Sequence, residues 1–355
     1  MKDAVNAAIL DTMPAFHVTP FLEMLLARQD LTAEGAAEVM EAIIFGRVNA
    51  ASIGALMIAL RMKGETVTEI ASFAKMMRTH SRHVKAPPGA LDTCGTGGDQ
   101  CSTFNISTTT AFVAAGMGIP VAKHGGRAVT SRSGSPDVLK ALKVNIEIPV
   151  ERVEKCLAQL GICFMFAPTH HPGMAHVAPV RKELGVRSIF NLLGPLSNPA
   201  LTQHQLLGVF DPSLCQVFAE VLHALGSASA MIVCGTGPGG KGHLDEISTF
   251  GPTRIARLES GKITIVDFDA AKMGFAVPPP DALHAHSCEH SAQIVKNVLS
   301  GDHGSARDIV VLNAAAAAVV AGKAATWTDG IKLAEKSIDD GSALKMLNAL
   351  ILATK

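Results

Sequence analysis

Apolar positions early in the chain recur with helical spacing. Ala36, Val39, Met40, Ile43 and Ile44 follow the i, i+3, i+4, i+7, i+8 pattern, and the run ends near Gly46. A second helix is predicted over residues 50–63, stopped by Gly64. Thr66 and Glu69 have capping-box spacing and open a third helix, through about His80. Pro87-Pro88-Gly89 breaks the pattern. A lobe boundary is placed there, with residues 1–86 forming an α-helical lobe joined by part of 170–200, and residues 87–355 an α/β lobe.

From residue 90 the period changes. Short apolar runs at 90–93, 119–122, 162–166, 206–210 and 231–234 read as strands. Helical segments near 107–117, 136–142, 151–160 and 213–225 alternate with them, which implies βα units and a central, mainly parallel sheet. Residues 254–258 and 262–267, joined by Glu259-Ser260-Gly261, read as a hairpin. The Ala-rich run 314–320 reads as a buried, closely packed helix. Residues 170–199 are proline-rich, polar and basic, the type of loop that carries function in an α/β protein.

Composition narrows the classes. With 355 residues, 48% apolar and 17% charged, the chain can hold a large core in two lobes. Its 31 basic and 31 acidic residues give zero formal charge, which argues against nucleic acid as the main partner. One Trp and no Tyr disfavour a base-stacking platform. No run of about 18 apolar residues indicates a membrane span. Asp3 and Asp11 speak against a signal peptide. Seven scattered cysteines without a C-x-x-C pair point to reduced thiols in a cytoplasm.

The chemistry concentrates at strand ends. Gly95-Thr96-Gly97-Gly98-Asp99 follows the first strand and precedes a helix start at Asn105-Ile106-Ser107-Thr108. Backbone N–H groups on such a loop, with a helix N-terminus, form an anion site. The carboxylate of Asp99 inside it implies an anion that brings a cation or hydroxyls. The spacing is neither the dinucleotide fingerprint nor a P-loop. Lys123-His124-Gly125-Gly126-Arg127 follows the second strand, with Ser131, Ser133 and Ser135 behind it. Lys123 offers a point charge and Arg127 a fork. Ser135-Pro136 reads as N-cap and first helical residue. Two adjacent anion sites suit a diphosphorylated ligand of the phosphoribosyl pyrophosphate type. Adjacent carboxylates Asp245-Glu246 after the loop 235–242 suit Mg²⁺. His170, His171 and His176 lack partners for a tetrahedral zinc set, whereas Arg181 reads either as a bidentate partner for a carboxylate or as one half of a surface salt bridge.

Taken together, these strings, with Gly134-Ser135-x-Asp137-Val138-Leu139, Val180-Arg181-Lys182-Glu183-Leu184-Gly185 and Asn191-Leu192-Leu193-Gly194-Pro195-Leu196-x-Asn198-Pro199, resemble the anthranilate phosphoribosyltransferases across nearly the whole chain. The resemblance implies a nucleoside phosphorylase/phosphoribosyltransferase-like fold and a homodimer formed through the helical lobe. It implies transfer of phosphoribosyl from phosphoribosyl pyrophosphate to anthranilate in tryptophan biosynthesis. Phosphoribosyl pyrophosphate contacts would come from Gly95, Gly98, Asp99, Thr103, Asn105, Ile106, Ser107, Thr108, Lys123, His124, Gly125, Gly126, Arg127, Ala128, Val129, Thr130, Ser131 and Ser135. Anthranilate would meet Gly95, Gly126 and Arg181. Ser107, Asp245 and Glu246 would hold Mg²⁺. No acid–base catalyst is assigned. Association with a glutaminase or anthranilate synthase partner is left open.

Two positions depart from the family's pattern. Gly126 stands where Asn is usual, removing a side-chain hydrogen bond to anthranilate that is worth about 0.5–1.5 kcal/mol. Thr130 replaces Ser and keeps the hydroxyl. Alternatives are a phosphoribosyltransferase for another aromatic amine, or a pyrimidine nucleoside phosphorylase, which shares the glycine loop. The string at 180–199 argues against the phosphorylase. A non-catalytic, nucleic-acid-binding or regulatory relative is disfavoured by the balanced charge and the intact Asp245-Glu246 pair.

Overall fold

The computed structural model describes residues 16–126 and 134–355. Contacts divide it into two units: the chain up to Ser81 with His171–Leu193, and Arg82–His170 with Gly194–Lys355.

The first unit is helical, with α1 (Thr19–Leu26), α2 (Ala33–Ile44), α3 (Ala50–Lys63) and α4 (Val67–Thr79). Polar caps start the helices. Thr32 Oγ1 accepts from the Gly35 N–H at 3.1 Å, and Asn49 Oδ1 from the Ser52 N–H at 2.9 Å. The expected capping box forms in full, with Thr66 Oγ1 accepting from the Glu69 N–H at 3.2 Å and Glu69 Oε2 from the Thr66 N–H at 2.8 Å. Glu69 is fully buried, and its other oxygen accepts from the Leu31 N–H at 2.9 Å. Lys63 Nζ reaches Glu69 at 3.0 Å and Asp30 at 2.7 Å. The stripe Ala36, Val39, Met40 and Ile43 lies in the core, as its spacing predicts.

The second unit opens with β1 (Leu91–Gly95), α5 (Ile106–Gly116), β2 (Val121–Gly125), α6 (Ser135–Ala141), α7 (Val150–Leu160), β3 (Ile162–Phe166) and the short α8 (Ala167–His170). The chain then supplies α9 (Ala178–Leu184) to the first unit, where Arg61 Nη1 of α3 donates to the Arg187 carbonyl at 2.7 Å. After α10 (Phe190–Leu196) come β4 (His204–Gly208), α11 (Leu214–Ala224), β5 (Ser229–Thr236), β6 (His243–Leu244), β7 (Thr253–Glu259) and β8 (Lys262–Phe268). Helices α12 (Cys288–Leu299), α13 (Ser305–Val320), α14 (Trp327–Asp339) and α15 (Ser342–Thr354) complete it.

The sheet runs β3-β2-β1-β4-β5-β7-β8, with β6 also paired to β5. The five strands β3, β2, β1, β4 and β5 are parallel, whereas β6, β7 and β8 join antiparallel. This is the expected helical lobe plus α/β lobe with a mainly parallel sheet. Strand order reverses between β1 and β4, so a crevice opens at their carboxyl ends, where open α/β sheets bind ligands. Buried residues of α13, from Ile309 through the Ala-rich run, belong to the core of this unit. The hairpin forms where predicted, with Ser260 and Gly261 at φ 50° and 77° between the paired Glu259 and Lys262.

Candidate functional site

The glycine loop leaves β1 at that switch point. Gly97 and Gly98 take left-handed φ of 66° and 81°. Thr96 N–H donates to the Gly208 carbonyl at 2.9 Å, and Thr96 Oγ1 accepts from the Phe210 N–H at 3.2 Å, which ties the loop to the end of β4. Asp99 Oδ1 accepts from the Cys101 N–H at 3.1 Å, an Asx turn that orders the loop. Cys101 Sγ donates to the His243 carbonyl at 3.1 Å and so ties the loop to β6. Beyond it, Thr103 pairs with His284 in an isolated bridge, and Ser291 Oγ accepts from the Asn105 N–H at 3.0 Å.

Asp245 and Glu246 lie over the same strand ends. A Cβ at Gly208 would sit 1.6 Å from the Asp245 carbonyl oxygen, one at Gly95 2.4 Å from Asp245 Oδ2, and one at Gly235 2.5 Å from the Glu246 carbonyl oxygen. Only glycine at the ends of β1, β4 and β5 lets the acidic segment come this close. Asp245 Oδ2 accepts from the Gly97 N–H at 2.8 Å. Asn313, fully buried on α13, pins the next residue: its Oδ1 accepts from the Ile247 N–H and its Nδ2 donates to the Ile247 carbonyl, both at 2.9 Å. Sequence reasoning missed Asn313. Its signal was one amide side chain inside an otherwise apolar run.

The electrostatics are those of crowded acids. Burial, and then the hydrogen-bonded Asp99, push the half-buried Asp245 up to about 8. Burial and the Asp245 charge hold Glu246 well above the usual carboxylate range, against the pull of Lys123. Burial draws Lys123 below the usual ammonium value, although Asp92, Cys94, Glu246 and Asp245 oppose that. Lys123 Nζ donates to the Thr93 carbonyl, and also to Ser107 Oγ at 3.2 Å. The Ser107 backbone in turn hydrogen-bonds Glu246. Gly95, Asp99, Ser107, Lys123, Asp245 and Glu246 therefore meet at one place.

The remaining predicted residues distribute around it. Asn105 caps α5, its Oδ1 accepting from the Thr108 N–H at 3.1 Å. Ile106 is buried in the core. Thr108 Oγ1 is buried with no hydrogen-bond partner among the described residues. Ser135 stands beside this group, with its Oγ 3.5 Å from Asn105 Oδ1. Its expected capping role is corrected. Gly134 is the N-cap, extended at φ −94° and ψ 172°, and its N–H donates to Asp137 Oδ2 at 2.9 Å. Asp137 closes that turn, which leaves the Ser135 hydroxyl free of capping duty. His124 is buried at the end of β2, Gly125 ends that strand, and Gly126 is exposed just after it. Among the described residues a Cβ at Gly126 would meet only Ala167 Cβ, at 3.5 Å. Arg127, Ala128, Val129, Thr130 and Ser131 lie outside the described residues, as does Ser133. Arg181 sits on α9 of the helical unit; loss of hydration lowers its pKa, and among the described residues it has no ion-pair partner.

Among the described residues no three His, Cys, Asp or Glu side chains form a cage able to hold a metal by themselves. Asp245 and Glu246 nonetheless fit a hard cation that keeps waters and ligand phosphates as its other partners, the usual mode of Mg²⁺. Their mutual crowding is what a divalent ion relieves.

Residues 19–81 match the helical bundle domain of the glycosyl transferase family, and residues 87–344 match its α/β domain. The anthranilate phosphoribosyltransferase of Methanocorpusculum labreanum is 46% identical over 333 residues, covering 93% of this chain and 96% of the relative. That of Rubrobacter xylanophilus is also 46% identical, over 91% and 94% of the two chains. The crystal structure of anthranilate phosphoribosyltransferase from Thermus thermophilus superposes with a TM-score of 0.86 at 37% identity, covering 94% of this chain and 98% of that one. The Saccharomyces cerevisiae enzyme in complex with PRPP and Mg gives 0.84 at 28% identity over 95% and 97%. Likeness of this depth, through both domains and across the acidic switch-point site, means that the chain belongs to the anthranilate phosphoribosyltransferase family.

Proposed function

We propose that this chain transfers the 5-phosphoribosyl group from phosphoribosyl pyrophosphate to anthranilate, releasing pyrophosphate, as a step of tryptophan biosynthesis. The observation that carries the reading is the convergence of the glycine loop, Lys123, Ser107 and the Asp245-Glu246 pair on the β1–β4 switch point. Loop N–H groups and the Lys123 ammonium are suited to a diphosphate. Ser107, Asp245 and Glu246 would hold Mg²⁺, which when bound supplies positive charge to the departing pyrophosphate. Asn105 and Ser135 stand where the helix starts α5 and α6 can meet ligand oxygens. Substrate contacts from Gly98, Thr103, Ile106, Thr108, His124, Gly125 and residues 127–131 belong to the same proposal.

Acceptor binding is assigned to Gly95, Gly126 and Arg181. A guanidinium with lowered hydration and no carboxylate partner among the described residues is suited to a ligand carboxylate. The amine of anthranilate is weakly basic and loses its proton readily once bonded to carbon, so the chemistry needs positioning and charge stabilisation rather than a dedicated base.

A homodimer through the helical unit belongs to the same proposal. No described helix is long and apolar enough to cross a membrane. All seven cysteines are free thiols, which fits a cytoplasmic setting.

The test is a fluorescence assay. Anthranilate emission should fall when phosphoribosyl pyrophosphate and Mg²⁺ are both present, and chelation by EDTA should stop it. Absence of turnover at millimolar substrates, or phosphorolysis of thymidine instead, refutes the assignment.

A further inference from the structure

Asn198 closes a sequence string whose side chains none of the assigned contacts explain. It is 1% exposed. Its Nδ2 donates to Asp92 Oδ2 at 2.8 Å and to the Ala122 carbonyl at 2.9 Å, while its Oδ1 accepts from the Ala200 N–H at 2.8 Å. Asp92, 0% exposed on β1, uses its other oxygen to accept from the His124 N–H at 3.2 Å. Ala122 and His124 are the two neighbours of Lys123 on β2. The Asp92–Asn198 pair thus grips the backbone on both sides of the one lysine that reaches Ser107 Oγ.

A brace of β1 against β2 needs no charge. A buried carboxylate is costly, and an apolar pair of similar volume usually stabilises a sheet as well or better. What Asp92 offers beyond a brace is a carboxylate whose field favours the Lys123 ammonium, although burial raises the pKa of Asp92 itself. With the backbone held at Ala122 and His124, the Lys123 side chain runs to the Thr93 carbonyl and Ser107 Oγ.

We propose that Asp92 and Asn198 are positioning residues for phosphoribosyl pyrophosphate, acting through Lys123. The inference rests on the donor assignment made above, and the wild-type protein separates the two. Calorimetric titration of wild type with phosphoribosyl pyrophosphate and Mg²⁺ tests the assignment without any acceptor, and no binding there overturns the assignment itself.

The positioning role is tested by a double-mutant cycle of Asp92→Asn and Lys123→Met. The readouts are Kd for phosphoribosyl pyrophosphate, KM for anthranilate and the thermal midpoint. Each single variant is expected to weaken donor binding about tenfold or more and to leave the anthranilate KM within about twofold. The double variant should be no worse than Lys123→Met alone, because residues in one network couple. Should Asp92→Asn fail to fold, Asn198→Ser replaces it in the same cycle. Donor losses that multiply in the double variant, a wild-type Kd for Asp92→Asn, or losses that only follow the drop in thermal midpoint overturn the inference.

Discussion

Replacing Asn313 with Leu keeps the branching and number of side-chain heavy atoms but removes both hydrogen bonds to Ile247. Ile247 is 0% exposed and follows Glu246 directly, so its N–H and C=O would be left with no water to turn to. Each unpaired buried group costs about 1–3 kcal/mol, so the pair costs about 2–6 kcal/mol against a typical total stability of about 5–15 kcal/mol. The protein should still fold. At about 2–4 °C per kcal/mol for a domain of 150–250 residues, its midpoint should fall by about 4–24 °C. The second consequence is local. Asp245 and Glu246 lose the anchor that fixes them over the strand ends, so half-saturation by Mg²⁺ should need several-fold more metal while KM for anthranilate changes less. Calorimetric melting and a Mg²⁺ titration of turnover read the two effects. A midpoint within about 1 °C of wild type together with an unchanged Mg²⁺ dependence would show that Asn313 does not anchor the acidic segment, and the reasoning would fail.

Other perturbations separate packing from chemistry. Gly208→Ala places a methyl 1.6 Å from the Asp245 carbonyl oxygen, which must move by more than an ångström; turnover should drop by about 100-fold or more while far-ultraviolet dichroism stays native. In the helical unit, Glu69→Ala removes a capping box, takes the acceptor from the buried Leu31 N–H and leaves Lys63 with Asp30 as its remaining carboxylate, which should cost about 2–4 kcal/mol in denaturant unfolding; a loss under about 1 kcal/mol would contradict that. Lys63 is pushed down by burial, but the bonds to Asp30 and Glu69 outweigh this and raise it above the usual ammonium value. The folded state therefore holds that proton more tightly, so the contribution is complete below about pH 10.4 and is lost as pH rises through the raised value. Melting curves of wild type and Lys63→Met should converge above that pH, and parallel curves would contradict it. In Gly126→Asn the new Cβ would meet only Ala167 Cβ, at 3.5 Å, among the described residues, so the variant should fold normally, with KM for anthranilate lowered by up to about tenfold; an unchanged KM would show the glycine to be unimportant for the acceptor.

Legibility in the sequence followed the range of the interaction that decides each feature. Strand β3 falls on the predicted residues 162–166 because all five are buried and the run itself is the signal. The Thr66–Glu69 box and the Ser260-Gly261 turn are equally local, each settled within a few residues. One local reading failed where two local devices competed: Ser135 was the natural cap by residue type, yet Asp137 reaches back to Gly134 and shifts the cap by one. The helices α12, α14 and α15 were not among the predicted elements. Helix α12 opens on Cys288, Glu289 and His290, so its first turn carries no apolar stripe.

The site divides along the same line. Its two halves were visible as residue types, the glycine loop and the acid pair, because anion and cation binding each leave a short string. Their juxtaposition was not visible, because it depends on residues that bind nothing. Gly208 and Gly235 look like ordinary strand glycines until Asp245 and Glu246 are laid over them. Asn313 and Asn198 are single amides whose partners lie 66 and 106 residues away. A sequence string names what a site can hold. Which backbone must yield space, and which buried amide must pin it, is set by strand order alone, since β1 and β4 become neighbours only when the sheet is assembled. This is also why the proposed acceptor half is the less legible one: it turns on the single Arg181, whose residue type alone does not separate a carboxylate contact from an ordinary surface charge.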